Sequence, residues 1–219
     1  FVMFATATGS VRRNRLSDFT DVRANGKIVM KMDKDDHLVR VRVFEEQDNV
    51  FLATRNGKCI RFPVTDVRVF SGRTSTGVRG ISLTKGDEVI AMSGLKHVKA
   101  EVTVRDDYLR SVNAGRRLSG GDYTDREEDE SRDKELTARL KESQFVQMAD
   151  AEEYILTVAA DGMGKRTSAY DYRISKRGGK GIDSIDLKRK KKNLTTVVAI
   201  IPVVQTDELV MVSDGGQII

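Results

Sequence analysis

Seven consecutive residues, Ser175-Lys176-Arg177-Gly178-Gly179-Lys180-Gly181, hold the densest chemistry in this chain. They combine three cations and three glycines with no apolar side chain to anchor a core, so an exposed loop is predicted. Glycine lets a backbone take positive φ and approach a partner closely, and Lys and Arg on such a loop suit a row of phosphates. The plainer alternative is a basic turn with no dedicated partner. Catalytic chemistry is thinly supplied by comparison. Histidine occurs only at positions 37 and 97, and cysteine only at 59. No pattern places a general base beside a nucleophile, and no Cys/His cluster has metal-ligand spacing. Cys59, between Lys58 and Ile60, reads as a small apolar core residue. The expectation is a binding protein with no cofactor and no metal of its own.

Composition points the same way. The 219 residues carry a net charge of +5 and 32% charged side chains, with a pI near 9.3, which suits a polyanionic partner. The charge is uneven: residues 99–150 hold 13 acidic and 10 basic side chains, so the basic character belongs to the rest. No apolar run approaches the length of a membrane span, and the opening Phe1-Val2-Met3-Phe4-Ala5 lacks the basic region and cleavage pattern of a secretory signal. A cytoplasmic protein is expected.

The elements that position the loop come as a repeat. An apolar strand ending in glycine opens each unit: residues 1–9, Val50-Phe51-Leu52-Ala53-Thr54-Arg55-Asn56-Gly57, and Tyr154-Ile155-Leu156-Thr157-Val158-Ala159-Ala160-Asp161-Gly162. A fourth start, Glu208-Leu209-Val210-Met211-Val212-Ser213-Asp214-Gly215-Gly216, lies near the last residue. Asp18, Asp66 and Asp171 each follow their marker glycine (Gly9, Gly57, Gly162) at the same interval, and Phe19, Val67 and Tyr172 come next. After each comes a basic loop and further strands, predicted at 28–32 and 38–43, at 81–83 and 89–92, and at 182–187 and 197–201. In Leu38-Val39-Arg40-Val41-Arg42-Val43 the alternation predicts one buried and one basic face.

A period near fifty residues with about four strands per unit is the signature of propeller-like all-β folds, in which each unit needs neighbours to bury its faces. Blade-like repeats are placed at 1–46, 47–95 and 152–204, with a partial one at 205–219, and a fragment of a larger ring is expected. Residues 99–150 interrupt the period as a charged insertion. A strand is expected to continue through Glu101-Val102-Thr103-Val104, the stretch from Gly115 reads as exposed and unstructured, and a helix is expected near 133–144.

Cations recur at matching places. In or beside the second strand of each unit they are Arg12, Arg13 and Arg15, then Lys58 and Arg61, then Lys165 and Arg166. In the following loop they are Arg23 and Lys27, then Arg73 and Arg79, then Lys176, Arg177 and Lys180. If the units are related by rotation, equivalent loops share one rim and these charges form a curved basic band. Such a band contacts phosphates without reading bases and favours wrapping a duplex. Aromatic content of 6% with no Trp leaves little to stack single-stranded bases, so double-stranded DNA is the predicted partner. The run Lys188-Arg189-Lys190-Lys191-Lys192 is either a further phosphate contact or a charged turn.

These residues carry a resemblance. The Ala-Thr-x-x-Gly strand ends, the loop Thr76-Gly77-Val78-Arg79-Gly80-Ile81 and the segment Gly164-Lys165-Arg166-Thr167 resemble the C-terminal domain of the bacterial DNA gyrase A subunit, over roughly residues 1–95 and 152–219. The resemblance implies a β-pinwheel, a ring of blades that exchange strands, whose rim bends DNA so that ATP-driven strand passage introduces negative supercoils. It implies partners in the rest of the gyrase A subunit, together with the B subunit, in an A2B2 heterotetramer. Catalytic tyrosine, ATP and magnesium chemistry would lie elsewhere in that enzyme. Residues 175–181 are similar to the family's diagnostic basic-glycine box, with Ser175 in place of its glutamine and in a late rather than first blade. Lys176, Arg177, Gly178, Gly179, Lys180 and Gly181 are therefore read as a box-like copy that adds to the rim. The competing readings are the topoisomerase IV counterpart and a propeller-type interaction scaffold whose cations are only solvated.

Overall fold

Each repeat begins with a hairpin whose tight turn is closed by a glycine at positive φ: Gly9 at +86°, Gly57 at +79° and Gly162 at +81°. The computed structural model describes residues 1–22, 24–118, 141–187 and 195–218. In the first sheet, β1 (Val2–Thr6) pairs antiparallel with β2 (Ser10–Asn14) and, on its other edge, with β3 (Leu38–Val43), in the register Phe4↔Arg12 and Phe4↔Val41. The second sheet repeats this with β4 (Asn49–Thr54), β5 (Lys58–Pro63) and a strand at Val89–Leu95. The third uses strands at Tyr154–Ala159, Gly164–Ser168 and Val197–Val203.

The fourth strand of a sheet comes from the next repeat. The two-residue β6 (Val78–Arg79) lies in the second repeat but pairs with β2 of the first sheet, with Ser10 opposite Arg79. In chain order the strand at Val89–Leu95 is β7, and those at Tyr154–Ala159 and Gly164–Ser168 are β8 and β9. The third repeat's β10 (Ile182–Asp183) pairs with β5 of the second sheet, and β11 is Val197–Val203. The sheets thus run β3-β1-β2-β6, β10-β5-β4-β7 and β11-β8-β9. This corrects the strands expected at 28–32 and 81–83: the segment 28–32 is no strand, and in the second repeat the pairing falls a few residues earlier than expected. In the third, β10 occupies only the start of the strand expected at 182–187.

Hydrophobic layers lie between successive sheets. Val50, Leu52 and Ile60 face the first sheet's Met3, Ala5 and Val11, while Phe51, Ala53 and Cys59 face the third sheet's Ile155 and Val197 together with Tyr172. Covered on both faces, β4 is buried at all six positions, which is why it reads as an unbroken apolar run. Phe51 and Tyr172 meet edge to face at 5.1 Å. Burial of each such large side chain stabilises the stack by about 1.5–3 kcal/mol. The outer strand β3 departs from expectation: Val41 and Val43 are 49% and 58% exposed, so its apolar alternation does not mark a buried face.

Cys59 is fully buried, and loss of hydration on burial pushes its thiol up to about 12. The native protein is expected to leave Cys59 unreactive toward a thiol-disulfide reagent at pH 8 and to react fully in denaturant. Rapid labelling of the native protein would contradict this packing.

The insertion is more ordered than its composition suggests. Residues expected to continue a strand form helix α1 (Val102–Leu118), and α2 (Glu142–Asp150) returns toward the third sheet. Tyr108 and Met148 bury against Tyr170; the Tyr170 hydroxyl donates to the Met148 carbonyl at 2.9 Å, and the Tyr108 hydroxyl to Glu152 at 2.9 Å. Residues 119–140, which hold most of the expected 133–144 helix, and the basic run 188–192 lie outside the described residues. The start of the fourth repeat, 205–218, forms no strand; among the described residues its pairing is the bridge Val212↔Ile218, with Val210 74% exposed.

Candidate nucleic-acid interface

The basic loops are hydrogen-bonded one to the next across the blade junctions. Between the first and second repeats, Arg73 Nη1 donates to the Ile28 carbonyl at 3.2 Å and Lys31 N–H to the Ser75 carbonyl at 3.3 Å. Between the second and third, Gly178 N–H donates to the Gly80 carbonyl at 2.6 Å, and Ser82 N–H to the Gly179 carbonyl at 2.8 Å. Arg177 adds two bonds there, from Nε to the Asp66 carbonyl at 2.9 Å and from Nη1 to the Arg79 carbonyl at 3.0 Å. Three loops far apart in sequence therefore form one continuous band. Glycine is required where the band crosses the sheets: at Gly77 (φ +97°) and Gly181 (φ +71°) a Cβ would collide with the carbonyl oxygens of Val11 and Cys59.

The cations divide into three groups. Arg15, Arg79, Lys165, Arg166, Lys176 and Lys180 are exposed. Lys27, Arg73 and Arg177 are half-buried and engaged with main-chain carbonyls; Lys27 Nζ donates to Asp18 at 2.8 Å and Asp21 at 3.1 Å. The glycines of the box-like loop shape it, Gly178 lying at φ +81° against the Arg79 carbonyl and side chain. Arg23 lies outside the described residues.

The third group corrects the expectation from sequence. Arg12, Arg13 and Arg61 are 0%, 5% and 4% exposed, and none is placed to meet a phosphate on the rim. Arg12 reaches under the rim loop, with Nη1 donating to the Ser75 carbonyl at 2.6 Å and its guanidinium 4.5 Å from the Phe70 ring. Arg13 stacks over Phe1 at 4.6 Å. Arg61 crosses the next junction, donating from Nη1 to the Ala169 carbonyl at 2.7 Å and from Nη2 to the Lys96 carbonyl at 2.9 Å. Burial lowers all three guanidinium pKa values, that of Arg61 to about 10, which leaves Arg61 protonated at neutral pH. They join blades. Arg13 and Arg61 each lie four residues after the turn glycine, and their main chains bridge in parallel to Val69 and Ile174 of the next repeat; Arg166 holds the same place in the third repeat but is exposed. Lys58 is also neutralised in part, by Asp183 at 2.8 Å. Conversely, Lys31, Arg68 and Arg173 are exposed, and two of them share a place in the repeat: Arg68 and Arg173 each lie eleven residues after their turn glycine, Gly57 and Gly162.

Successive antiparallel sheets that complete one another by exchanging a short strand define a propeller of the β-pinwheel type. The model of the DNA gyrase C-terminal domain, beta-propeller, matches residues 1–45, 48–94 and 153–195, passing over the insertion, and the chain belongs to this family. Among curated relatives, the DNA gyrase A subunit of Granulibacter bethesdensis is 47% identical over 225 residues, covering 100% of this chain and 24% of the relative. The DNA gyrase A subunit of Rickettsia bellii is 43% identical over 218 residues, covering 100% and 23%. The chain thus spans about a quarter of the length of these relatives. Two solved structures share the fold: the C-terminal domain of DNA topoisomerase IV (TM-score 0.67, 17% identity, 99% of this chain and 50% of that one) and the DNA gyrase A C-terminal domain (TM-score 0.63, 21% identity, 99% and 53%).

Proposed function

We propose that this domain binds double-stranded DNA without sequence preference and bends it along the basic band, as the wrapping element of a DNA gyrase A subunit. The observation that carries the reading is the continuity of the band: loops of three repeats are bonded in series and present Arg79, Lys176 and Lys180 outward. A row of cations on a convex rim neutralises successive phosphates and releases their counterions, and a bent duplex meets more of them than a straight one. Within the holoenzyme, the wrap would present a second DNA segment for ATP-driven passage and so support negative supercoiling. Cleavage and ATPase chemistry would come from the remainder of the A subunit together with the B subunit, in an A2B2 assembly in the bacterial cytoplasm.

The test is affinity for a duplex of about 150 bp and one of about 20 bp across a salt titration, where wrapping predicts a steep slope and strong preference for the longer duplex. A shallow slope with no length preference would instead mark the band as ordinary solvated surface, the scaffold reading.

A further inference from the structure

Two of the rim arginines are not aimed at a partner. Arg177 lies within the box-like sequence, yet two of its three guanidinium nitrogens donate to carbonyls of the preceding repeat, those of Asp66 and Arg79. Arg73 makes one such bond a junction earlier, from Nη1 to the Ile28 carbonyl at 3.2 Å. Each is half-buried, whereas Lys176 and Lys180, the other two cations of the loop, are exposed. A guanidinium is suited to this: it is planar, always charged, and can hold two acceptors at once in fixed directions, which a single ammonium on a flexible stem does less well. Neither arginine is within ion-pair distance of a carboxylate among the described residues.

We infer that Arg177 and Arg73 are positioning residues of the rim, which fix the angle between successive phosphate-contacting loops by bridging them through main-chain carbonyls. The inference rests on the DNA-wrapping reading and divides the labour within it: lysines and Arg79 supply phosphate contacts, while Arg177 and Arg73 set the path that those contacts follow. The loops at each junction are also held from beneath, by Arg12 on the Ser75 carbonyl at the first and by Ser175 N–H on the Arg61 carbonyl at 2.8 Å at the second. At the second junction, Gly178 N–H to Gly80 and Ser82 N–H to Gly179 are the backbone bonds that Arg177 reinforces. Removing the guanidinium leaves the two sheets stacked through their apolar layer but frees the loops to shift relative to one another.

The experiment separates charge from geometry. Arg177→Ala, Arg177→Lys, Arg73→Ala and Lys176→Ala/Lys180→Ala are compared with the parent on a duplex labelled at both ends, reading salt slope of binding and end-to-end energy transfer at saturation. For Arg177→Ala and Arg73→Ala the salt slope is expected to change by less than about half a unit, while the transfer reporting the bend falls. Arg177→Lys keeps the charge and is expected to lose the bend like the alanine variant. The lysine pair should behave oppositely, losing about two units of slope and keeping the bend at saturation. Amide exchange at Gly178 and Ser82 in the DNA-free protein should rise in both Arg177 variants, a readout independent of DNA. A loss of about one slope unit in Arg177→Ala that Arg177→Lys restores would overturn the inference and make Arg177 a phosphate contact. Unchanged bend and unchanged amide exchange would also overturn it. If the parent domain itself fails to prefer or bend long DNA, the wrapping reading falls first, and amide exchange alone then decides whether Arg177 braces the junction.

Discussion

Gly181→Ala is expected to destabilise the domain by about 2–5 kcal/mol, and Gly26→Ala by only about 1 kcal/mol. The two glycines occupy equivalent places in their repeats, and share nearly the same φ, +71° and +78°, but the segment after Gly181 becomes the exchanged strand β10 while that after Gly26 forms no strand. The left-handed conformation penalises any Cβ by about 1–2 kcal/mol, and this part is common to both. The difference lies in what the Cβ would meet. At Gly181 it would collide with the Cys59 carbonyl of the strand that β10 crosses, and backbone on both sides cannot yield without breaking the Ile182↔Cys59 pairing. At Gly26 it would meet nothing within 4 Å. Gly77, whose Cβ would strike the Val11 carbonyl, should follow Gly181. Urea denaturation of the three variants measures the contrast. Equal losses at positions 26 and 181 would show that the exchanged strand does not press on its neighbour as described.

The same pair of glycines shows where the sequence was informative and where it was not. Spacing of glycine, aspartate and apolar residues marks the repeat and the apolar strand with its turn glycine that opens each unit, because those features are written within a unit. Strand exchange depends on a partner about seventy to a hundred and twenty residues away: β6 pairs with Ser10 and Val11, and β10 with Lys58 and Cys59. Two paired residues leave no periodicity to read. The arginines were misplaced for a related reason. A guanidinium has the same one-letter code whether it faces water or a row of carbonyls, and only the neighbouring blade turns Arg61 from a rim charge into a clasp between Ala169 and Lys96. Helix α1 is masked in the sequence by the β-branched character of Val102-Thr103-Val104, although Val104, Tyr108 and Val112 lie at helical spacing. Tyr108 is the residue of that stripe buried against Met148 and Tyr170.

Combined replacement of Arg79, Lys176 and Lys180 by Ala is expected to lower the salt slope of long-duplex binding by about three units and to weaken binding alike on unrelated sequences. These three are chosen because the structure leaves their side chains outward on adjoining loops of the band, where each can neutralise one phosphate. The control is Arg61→Met, which removes a cation from β5 of the second sheet. Arg61 is buried with its donors on two carbonyls, so its loss should lower the melting temperature and leave the slope unchanged in protein that remains folded. Net charge falls in both variants, by three in one and one in the other, so a diffuse electrostatic effect predicts slopes in proportion to charge. A site-specific rim predicts a full effect per residue for the first and none for the second. If Arg61→Met lost slope as each rim residue does, binding would follow overall charge, and the band would have no special claim on the DNA. If the triple variant kept its slope, the path of the duplex would have to run over other cations, with Lys31, Arg68 and Arg173 the exposed groups next in line.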